Sequence, residues 1–229
     1  APPGILLWRA LLQWLGGIGI IVMAVAVLPM LQVGGMQIFR MESSDRSEKV
    51  LPRAAQIASG IGTVYLTLTM ICALFYWFYG MTGFEAVTHA MTTIATGGFS
   101  TSDQSLGHFN SAAIDWTAVI FMIVGSLPFV LYLQAVRGHP GELVRDAQVK
   151  TFLVITIVLV TLVTCGYWAT SGGSLLHALR MSALNAVSIM TGTGYTTANF
   201  DAWGAFAVPL FFIAMFIGGC AGSTTCGIK

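Results

Sequence analysis

The sequence predicts an all-α membrane protein made of repeated helix–pore-loop–helix units, with re-entrant half-helices and a broken helix near the C-terminus. The first observation is the composition, which is typical of a membrane protein. The 229 residues are 56% hydrophobic and only 8% charged, whereas a soluble domain usually carries about 25% charged residues. The mean hydropathy is +0.81. The other two observations are a series of apolar segments long enough to cross a bilayer and a Gly/Thr-rich string that occurs twice.

Apolar segments set the expected helices, since a membrane-spanning helix needs about 20 predominantly apolar residues. The segments that approach this length are 4–31, 57–79, 116–136 and 152–169. Pro128 interrupts the third of them and predicts a kink. A further apolar segment, 206–217, is too short to span alone and runs into the glycine-rich stretch 218–227, so we interpret it as part of a broken helix.

Two amphipathic segments, 83–95 and 174–190, each stand directly before one of the Gly/Thr-rich strings, 94–101 and 190–197. We expect each segment to be a half-helix that dips partway into the membrane. Non-helical backbone at membrane depth is tolerated only where it is buried in protein or lines a water-filled cavity. Two such strings in equivalent places therefore predict a pore.

The residue types in the strings suit a cation filter. Glycine lets backbone carbonyls turn toward an ion without a Cβ clash, threonine adds a hydroxyl oxygen, and the ring of Phe99 or Tyr195 can hold the loop open. The C-terminal end of each half-helix carries a partial negative charge that favours a cation. The predicted filter residues are Ala95, Thr96, Gly97, Gly98, Phe99, Thr191, Gly192, Thr193, Gly194 and Tyr195.

Basic residues predict the orientation of the chain. If the four long segments span, most of the ten basic residues lie in loops on one side, which is then the cytoplasm, and the two strings lie toward the outside. These residues are Arg40, Arg46, Lys49, Arg53, Arg137, Arg145, Lys150 and Lys229. Arg9 and Arg180 are the exceptions.

Several other kinds of function are disfavoured. The net charge of +1 and the lack of a basic stripe give no basis for a nucleic-acid partner. The scattered cysteines Cys72, Cys165, Cys220 and Cys226 are expected to be buried free thiols, and no transition-metal site is expected. Ser223 resembles an intramembrane protease nucleophile only superficially, because the filter region separates it from His177 as a base. We therefore expect that the protein is not an enzyme and that Ser223 satisfies the freed backbone of a broken helix.

Other polar or small residues have simpler interpretations. Asp103 and Asp201 follow the two strings, where they either concentrate cations at the pore mouth or cap the next helix. Glu85 is expected to be a favourable charge at the start of the first half-helix. The run 16–19 contains three glycines and is expected to serve close helix packing.

Three motifs, in order along the chain, resemble the Trk/Ktr/HKT superfamily of cation transporters and are closest to its TrkH-type potassium-uptake subunits. They are Trp8-Arg9 with the string 13–20, the string 93–101, and the string 218–224. The resemblance implies a fold related to potassium channels, with four helix–pore-loop–helix repeats around one pore. It also implies that Gly98 and Gly194 are the filter glycines of the second and third repeats.

Further implications of the resemblance concern the gate and the organisation of the chain. The gate would be the intramembrane loop formed by Gly218, Gly219, Cys220, Ala221, Gly222, Ser223, Thr224 and Thr225. The expected regions are the closing helix of the first repeat (1–36), a cytoplasmic loop (37–55), the second repeat (56–137), a second cytoplasmic loop (138–150) and the third repeat with its gate (151–229). Because the filters of the first and fourth repeats are missing, we expect an incomplete portion of a transporter subunit.

The resemblance implies K⁺ uptake across the bacterial inner membrane by a dimer, with a cytosolic nucleotide-binding, TrkA-like regulatory subunit and no organic cofactor. The basic loops 37–55 and 138–150 would face that partner, although they serve equally well as positive-inside anchors. The alternative interpretation is a sodium-coupled secondary transporter, since broken helices also form ion sites in carriers. A structural or assembly protein of the membrane is a third possibility.

Overall fold

The computed structural model describes residues 1–26 and 50–227, with side chains at all of these positions except 24–26, 50–55 and 201. In this part of the chain every regular element is helical, which confirms the predicted all-α class. The end of the first predicted span and most of the loop 37–55 lie outside the described residues. The same holds for several side chains named above, which are those of Asp201, Arg40, Arg46, Lys49, Arg53 and Lys229.

In chain order the helices are α1 (Pro3–Ala26), α2 (Val50–Phe78), α3 (Gly83–Ile94), α4 (Ala112–Gly125), α5 (Phe129–Val136), α6 (Gly141–Arg145), α7 (Ala147–Ser171), α8 (Leu175–Thr191) and α9 (Ala207–Ile217). Among the described residues, α1, α2 and α7 are each long and apolar enough to cross a membrane, and α4 with α5 can form one more, bent, span.

The predicted half-helices correspond to α3 and α8. A reciprocal cap starts α3, because Thr82 Oγ1 accepts a hydrogen bond from Glu85 N at 3.3 Å and Glu85 Oε2 accepts one from Thr82 N at 3.0 Å. Such a capping box satisfies two amide groups that a helix start leaves unpaired. The expectation that Glu85 favours a helix N-terminus is thereby confirmed. At the start of α8, Ser174 Oγ accepts a hydrogen bond from His177 N at 3.3 Å.

The bend at Pro128 is sharper than the kink that the sequence predicts, since α4 and α5 meet at 90°. Proline lacks an amide hydrogen and ends a helix on its N-terminal side, so the break leaves backbone groups without helical partners. The glycine-rich loop after α9 supplies partners instead, which explains why non-helical backbone is tolerated there. These bonds are Cys220 N to Ser126 O at 3.0 Å, Thr224 N to Gly125 O at 3.2 Å and Phe129 N to Gly222 O at 3.1 Å.

The helices form two connected units, the first consisting of α2 to α5 and the second of α7 to α9. The first unit buries Tyr65, Tyr76 and Met122 in one apolar cluster, which Leu184 and Tyr195 of the second unit join. A second cluster is centred on α7, α8 and α9. Helix α4 packs against α8, and α1 packs against α2 and α3. Helix α4 also contacts α3, so it connects the two half-helices.

Only part of the glycine run in α1 is used for packing among the described residues. A Cβ atom at Gly17 would lie 2.8 Å from Tyr65 Oη and 3.2 Å from Ala95 Cβ, whereas at Gly16 or Gly19 it would meet nothing within 4 Å. Gly17 therefore brings α1 close to the end of the first half-helix.

Candidate functional site

The first Gly/Thr-rich string forms a loop at residues 95–99, here named the first loop, directly after α3. Thr96 has φ 49° and Gly98 has φ 72°, which places both in the left-handed region. Glycine adopts this conformation without a steric cost, whereas it is uncommon for threonine. Thr96 is 6% exposed, and its hydroxyl donates to Ala95 O at 2.8 Å.

The second string forms the second loop, residues 191–195, after α8. Its burial alternates, because Thr191, Thr193 and Tyr195 are buried while Gly192 and Gly194 are exposed. The hydroxyls of Thr191 and Thr193 hydrogen-bond to each other at 2.7 Å. A Cβ atom at Gly194, where φ is 85°, would meet nothing within 4 Å. Gly194 thus lies on the open side of the loop, and the larger side chains anchor its other side.

The two loops contact each other although they are far apart in sequence. A Cβ atom at Gly98 would collide with the carbonyl oxygen of Thr193, so glycine at position 98 is what permits this close approach. The structure therefore brings the two sets of predicted filter residues to one place.

Tyr195 anchors the second loop to the first half-helix. Its side chain is 1% exposed, and its hydroxyl lies 2.6 Å from Thr92 Oγ1 and 3.1 Å from Thr93 Oγ1. The carbonyl oxygen of His89 lies 3.2 Å from the same hydroxyl. Because buried hydroxyls are costly unless they are hydrogen-bonded, this network favours one position of the loop.

Phe99 has a different environment from Tyr195, although either ring was expected to hold its loop open. The Phe99 ring is 39% exposed, and the guanidinium carbon of Arg9 lies 4.0 Å from its centroid. Cation–π contacts of this kind stabilise by about 0.5–1 kcal/mol at exposed sites. Phe99 thus links the first loop to α1, whereas Tyr195 links the second loop to α3.

The predicted gate residues, 218–225, form the C-terminal loop, which touches the first loop. Thr224 Oγ1 lies 2.9 Å from both Ile94 O and Gly125 O, and Thr96 Oγ1 donates to it at 3.3 Å. Thr224 is only 7% exposed. One hydroxyl therefore connects the end of α3, the first loop and the break after α4.

Other residues of the C-terminal loop support its shape. Ser223 Oγ donates to Cys220 O at 2.6 Å, in agreement with the expectation that Ser223 satisfies freed backbone. The Sγ atom of Cys226, just past the loop, occupies the space beside Gly192 that a Cβ atom would need. The C-terminal loop consequently contacts the first loop, and Cys226, directly after it, contacts the second loop.

An ion pair joins the two units. Arg180 Nε on α8 donates to Asp115 Oδ2 on α4 at 2.7 Å, and the side chains are 18% and 2% exposed. Charged groups inside membrane segments are expensive and usually pair with one another. From the sequence, Arg180 was an exception to the rule that the basic residues lie in loops on one side, but its pairing with Asp115 was not predicted. The available signal was one charge of each sign inside otherwise apolar segments.

The remaining candidate side chains lie away from the loops or serve the structure. Asp103 and His177 are exposed. His89 Nε2 is 3.0 Å from Ser100 Oγ, so this histidine supports the chain that leaves the first loop. Cys72 and Cys220 are buried as expected, whereas Cys165 and Cys226 are exposed. Within residues 1–26 and 50–227 no cluster of His, Cys, Asp and Glu could hold a metal ion.

Comparison with known proteins relates this architecture to cation transporters. The chain is 45% identical to the Trk system potassium uptake protein TrkI of Halomonas elongata over 99% of this chain and 46% of that protein. It is 40% identical to the Trk system potassium uptake protein TrkH of Vibrio parahaemolyticus over 100% of this chain and 48% of that protein. It therefore spans about half the length of the curated relatives that it matches.

The fold agrees with a solved relative. The crystal structure of the potassium transporter TrkH from Vibrio parahaemolyticus superimposes with a TM-score of 0.87 at 38% identity, covering 99% of this chain and 46% of that one. Residues 1–229 match the family described as TrkH, cation transport protein. The chain belongs to the TrkH family of cation transport proteins.

Proposed function

We propose that this chain forms part of a potassium-conducting pore, in which the first and second loops are selectivity-filter segments. The observation that carries the proposal is the contact between Gly98 and the Thr193 carbonyl, which unites two similar loops from two similar units. Both loops follow half-helices whose C-terminal ends offer partial negative charge. The relatives described above are named as potassium uptake proteins.

The chemistry of the loops favours a weakly hydrated monovalent cation. Residues 95–99, 191–195 and 218–225 contain no Asp or Glu, so the oxygen atoms that they offer are neutral carbonyls and hydroxyls. Rings of backbone carbonyls can replace the hydration shell of K⁺, whereas Ca²⁺ is usually bound by carboxylates as well. A filter of this kind needs four such segments, and this chain would contribute two of them.

We also propose that the C-terminal loop, residues 218–225, is the gate. It contacts the first filter loop through Thr96 and Thr224, Cys226 directly after it contacts the second, and Thr224 fastens it to the carbonyls of Ile94 and Gly125. Gly218 and Gly222 have φ 68° and 76°, and glycine changes conformation at low cost. A loop with flexible backbone can open a path that it blocks when these hydrogen bonds hold it in place.

The cellular setting that fits this function is the bacterial cytoplasmic membrane, with regions 1–36, 56–137 and 151–229 belonging to three successive repeats. A homodimer, with a cytosolic nucleotide-binding subunit bound at loops 37–55 and 138–150, would complete the system. Arg145 in the loop 138–150 and Arg137 directly before it are exposed and available to such a partner.

Growth of a potassium-uptake-deficient bacterium tests the proposed function. The complete subunit that contains this chain should restore growth at low K⁺. Gly98→Ser should weaken growth or K⁺ selectivity, because the added side chain collides with the Thr193 carbonyl. Gly80→Ser is the matched control, since Gly80 also has positive φ, 107°, but nothing lies within 4 Å of its Cβ position. Failure of the expressed wild-type subunit to restore growth would refute the proposal.

A further inference from the structure

Gln13, on α1, holds the backbone of the first loop at two points. Its Nε2 donates to Gly97 O at 2.7 Å, and its Oε1 accepts from Phe99 N at 3.2 Å. A Cβ atom at Gly97 would collide with the carboxamide of Gln13. The side chain therefore fills the space that glycine leaves at position 97, and it contacts the residues on both sides of Gly98.

The carbonyls of the first loop are consequently of two kinds. Gly97 O accepts from Gln13, and Phe99 O accepts from Thr92 Oγ1 at 2.9 Å. In the described part of the chain, no hydrogen-bond donor is assigned to the carbonyls of Thr96 or Gly98. Alternate carbonyls are thus held by side chains, and those between them remain available to a cation.

We infer that Gln13 is a positioning residue of the filter, which fixes the orientation of the Gly97 and Phe99 peptide groups and so determines selectivity between K⁺ and Na⁺. The inference rests on the proposed function. Gly98, between the two fastened peptides, has a left-handed φ of 72° and, as glycine, can leave it easily. Without the Gln13 amide, the peptide groups on either side of Gly98 can rotate and change the number of carbonyls offered to an ion.

Arg9 reinforces the same attachment one helical turn earlier. Residues four apart on a helix lie on one face, and Arg9 covers the Phe99 ring at 4.0 Å while Gln13 binds the Phe99 amide. Helix α1 therefore contacts the first loop through a backbone clamp and a ring contact, although it precedes the first unit in sequence.

The test is the K⁺/Na⁺ selectivity of the complete subunit in proteoliposomes, measured by Rb⁺ uptake against competing Na⁺. Gln13→Met keeps a long unbranched side chain but removes the amide donor. We expect a roughly tenfold loss of selectivity, the size that a net hydrogen-bond contribution of this kind produces. Gln134→Met makes the same chemical change at an exposed position of α5 and should leave selectivity unchanged.

The outcomes separate positioning from general stability. A variant that is merely destabilised gives less active protein, so its maximal uptake falls while the selectivity of the remaining protein stays at the wild-type value, and that result would overturn the inference. If Gln13→Met does not yield folded protein, Gln13→Glu is tested instead. This variant retains an acceptor for Phe99 N but loses the donor for Gly97 O. Wild-type selectivity in Gln13→Glu would also overturn the inference. Absence of Rb⁺ or K⁺ uptake by the wild-type subunit refutes the proposed function itself.

Discussion

Replacing Thr224 by valine should release the proposed gate, because valine has nearly the same shape and lacks the hydroxyl. The hydroxyl can donate one hydrogen, shared between Ile94 O and Gly125 O at 2.9 Å each, and it accepts from Thr96 Oγ1 at 3.3 Å. The donated bond contributes about 1 kcal/mol and the accepted bond less, because the Thr96 hydrogen is shared with Ala95 O at 2.8 Å, so the total is roughly 1–2 kcal/mol. A difference of that size changes an equilibrium about 5- to 30-fold.

The assay is K⁺ efflux from proteoliposomes that contain the complete subunit without its cytosolic partner. If the hydrogen bonds of Thr224 exist only in the closed gate, Thr224→Val should raise K⁺ flux by up to about 30-fold. Thr224→Ser keeps the hydroxyl and should remain near the wild-type flux. Thr161→Val is the control, because Thr161 is exposed and its hydroxyl bonds only within its own helix, to Ile157 O at 2.7 Å.

Two results would refute this reasoning. Equal flux in folded Thr224→Val and wild-type protein would show that the hydroxyl does not fasten the gate. A lower flux in Thr224→Val, with Thr161→Val unchanged, would show that Thr224 stabilises the conducting state instead.

Further predictions concern the contacts around the loops. Tyr195→Phe should lower K⁺/Na⁺ selectivity in Rb⁺ uptake assays, because it removes a buried hydroxyl whose loss costs about 1–3 kcal/mol while the ring remains. Arg180→Leu should lower the melting temperature in detergent, since leaving the buried Asp115 carboxylate unpaired costs about 3–5 kcal/mol, and the double variant with Asp115→Leu should recover most of the loss. Gly125→Ala should reduce K⁺ uptake, because its Cβ atom would lie 2.8 Å from Ile94 O and push the first loop away from the break.

Each of these predictions has a matched control or a contradicting result. Tyr79→Phe removes a phenol hydroxyl from a residue that is 37% exposed and should leave selectivity unchanged. A double variant of Asp115 and Arg180 that is no more stable than Arg180→Leu would contradict the assignment of the cost to the unpaired carboxylate. Gly16→Ala, where nothing lies within 4 Å of the added atom, should have no effect on uptake.

Features that depend on short stretches of sequence were predicted well. The half-helices α3 and α8 follow from their amphipathic pattern, their moderate hydrophobicity and their position before the Gly/Thr-rich strings, and the capping box of Thr82 and Glu85 starts α3 at the predicted place. The apolar segments gave the spans, since the length needed to cross a bilayer is a property of one helix alone. The bend at Pro128 was underestimated, because its 90° angle depends on the distant C-terminal loop that binds the freed backbone.

The sequence by itself therefore determined the helical membrane class, the positions of the half-helices and the two Gly/Thr-rich strings. Only the tertiary structure decided which residues meet: Gln13 with Gly97, Thr224 with Ile94, and Asp115 with Arg180. A polar side chain in an apolar segment indicates that a partner is needed, since an unpaired polar group is costly in the membrane. Nothing in its local sequence identifies the partner, because the contact is made by chain folding between residues that are far apart.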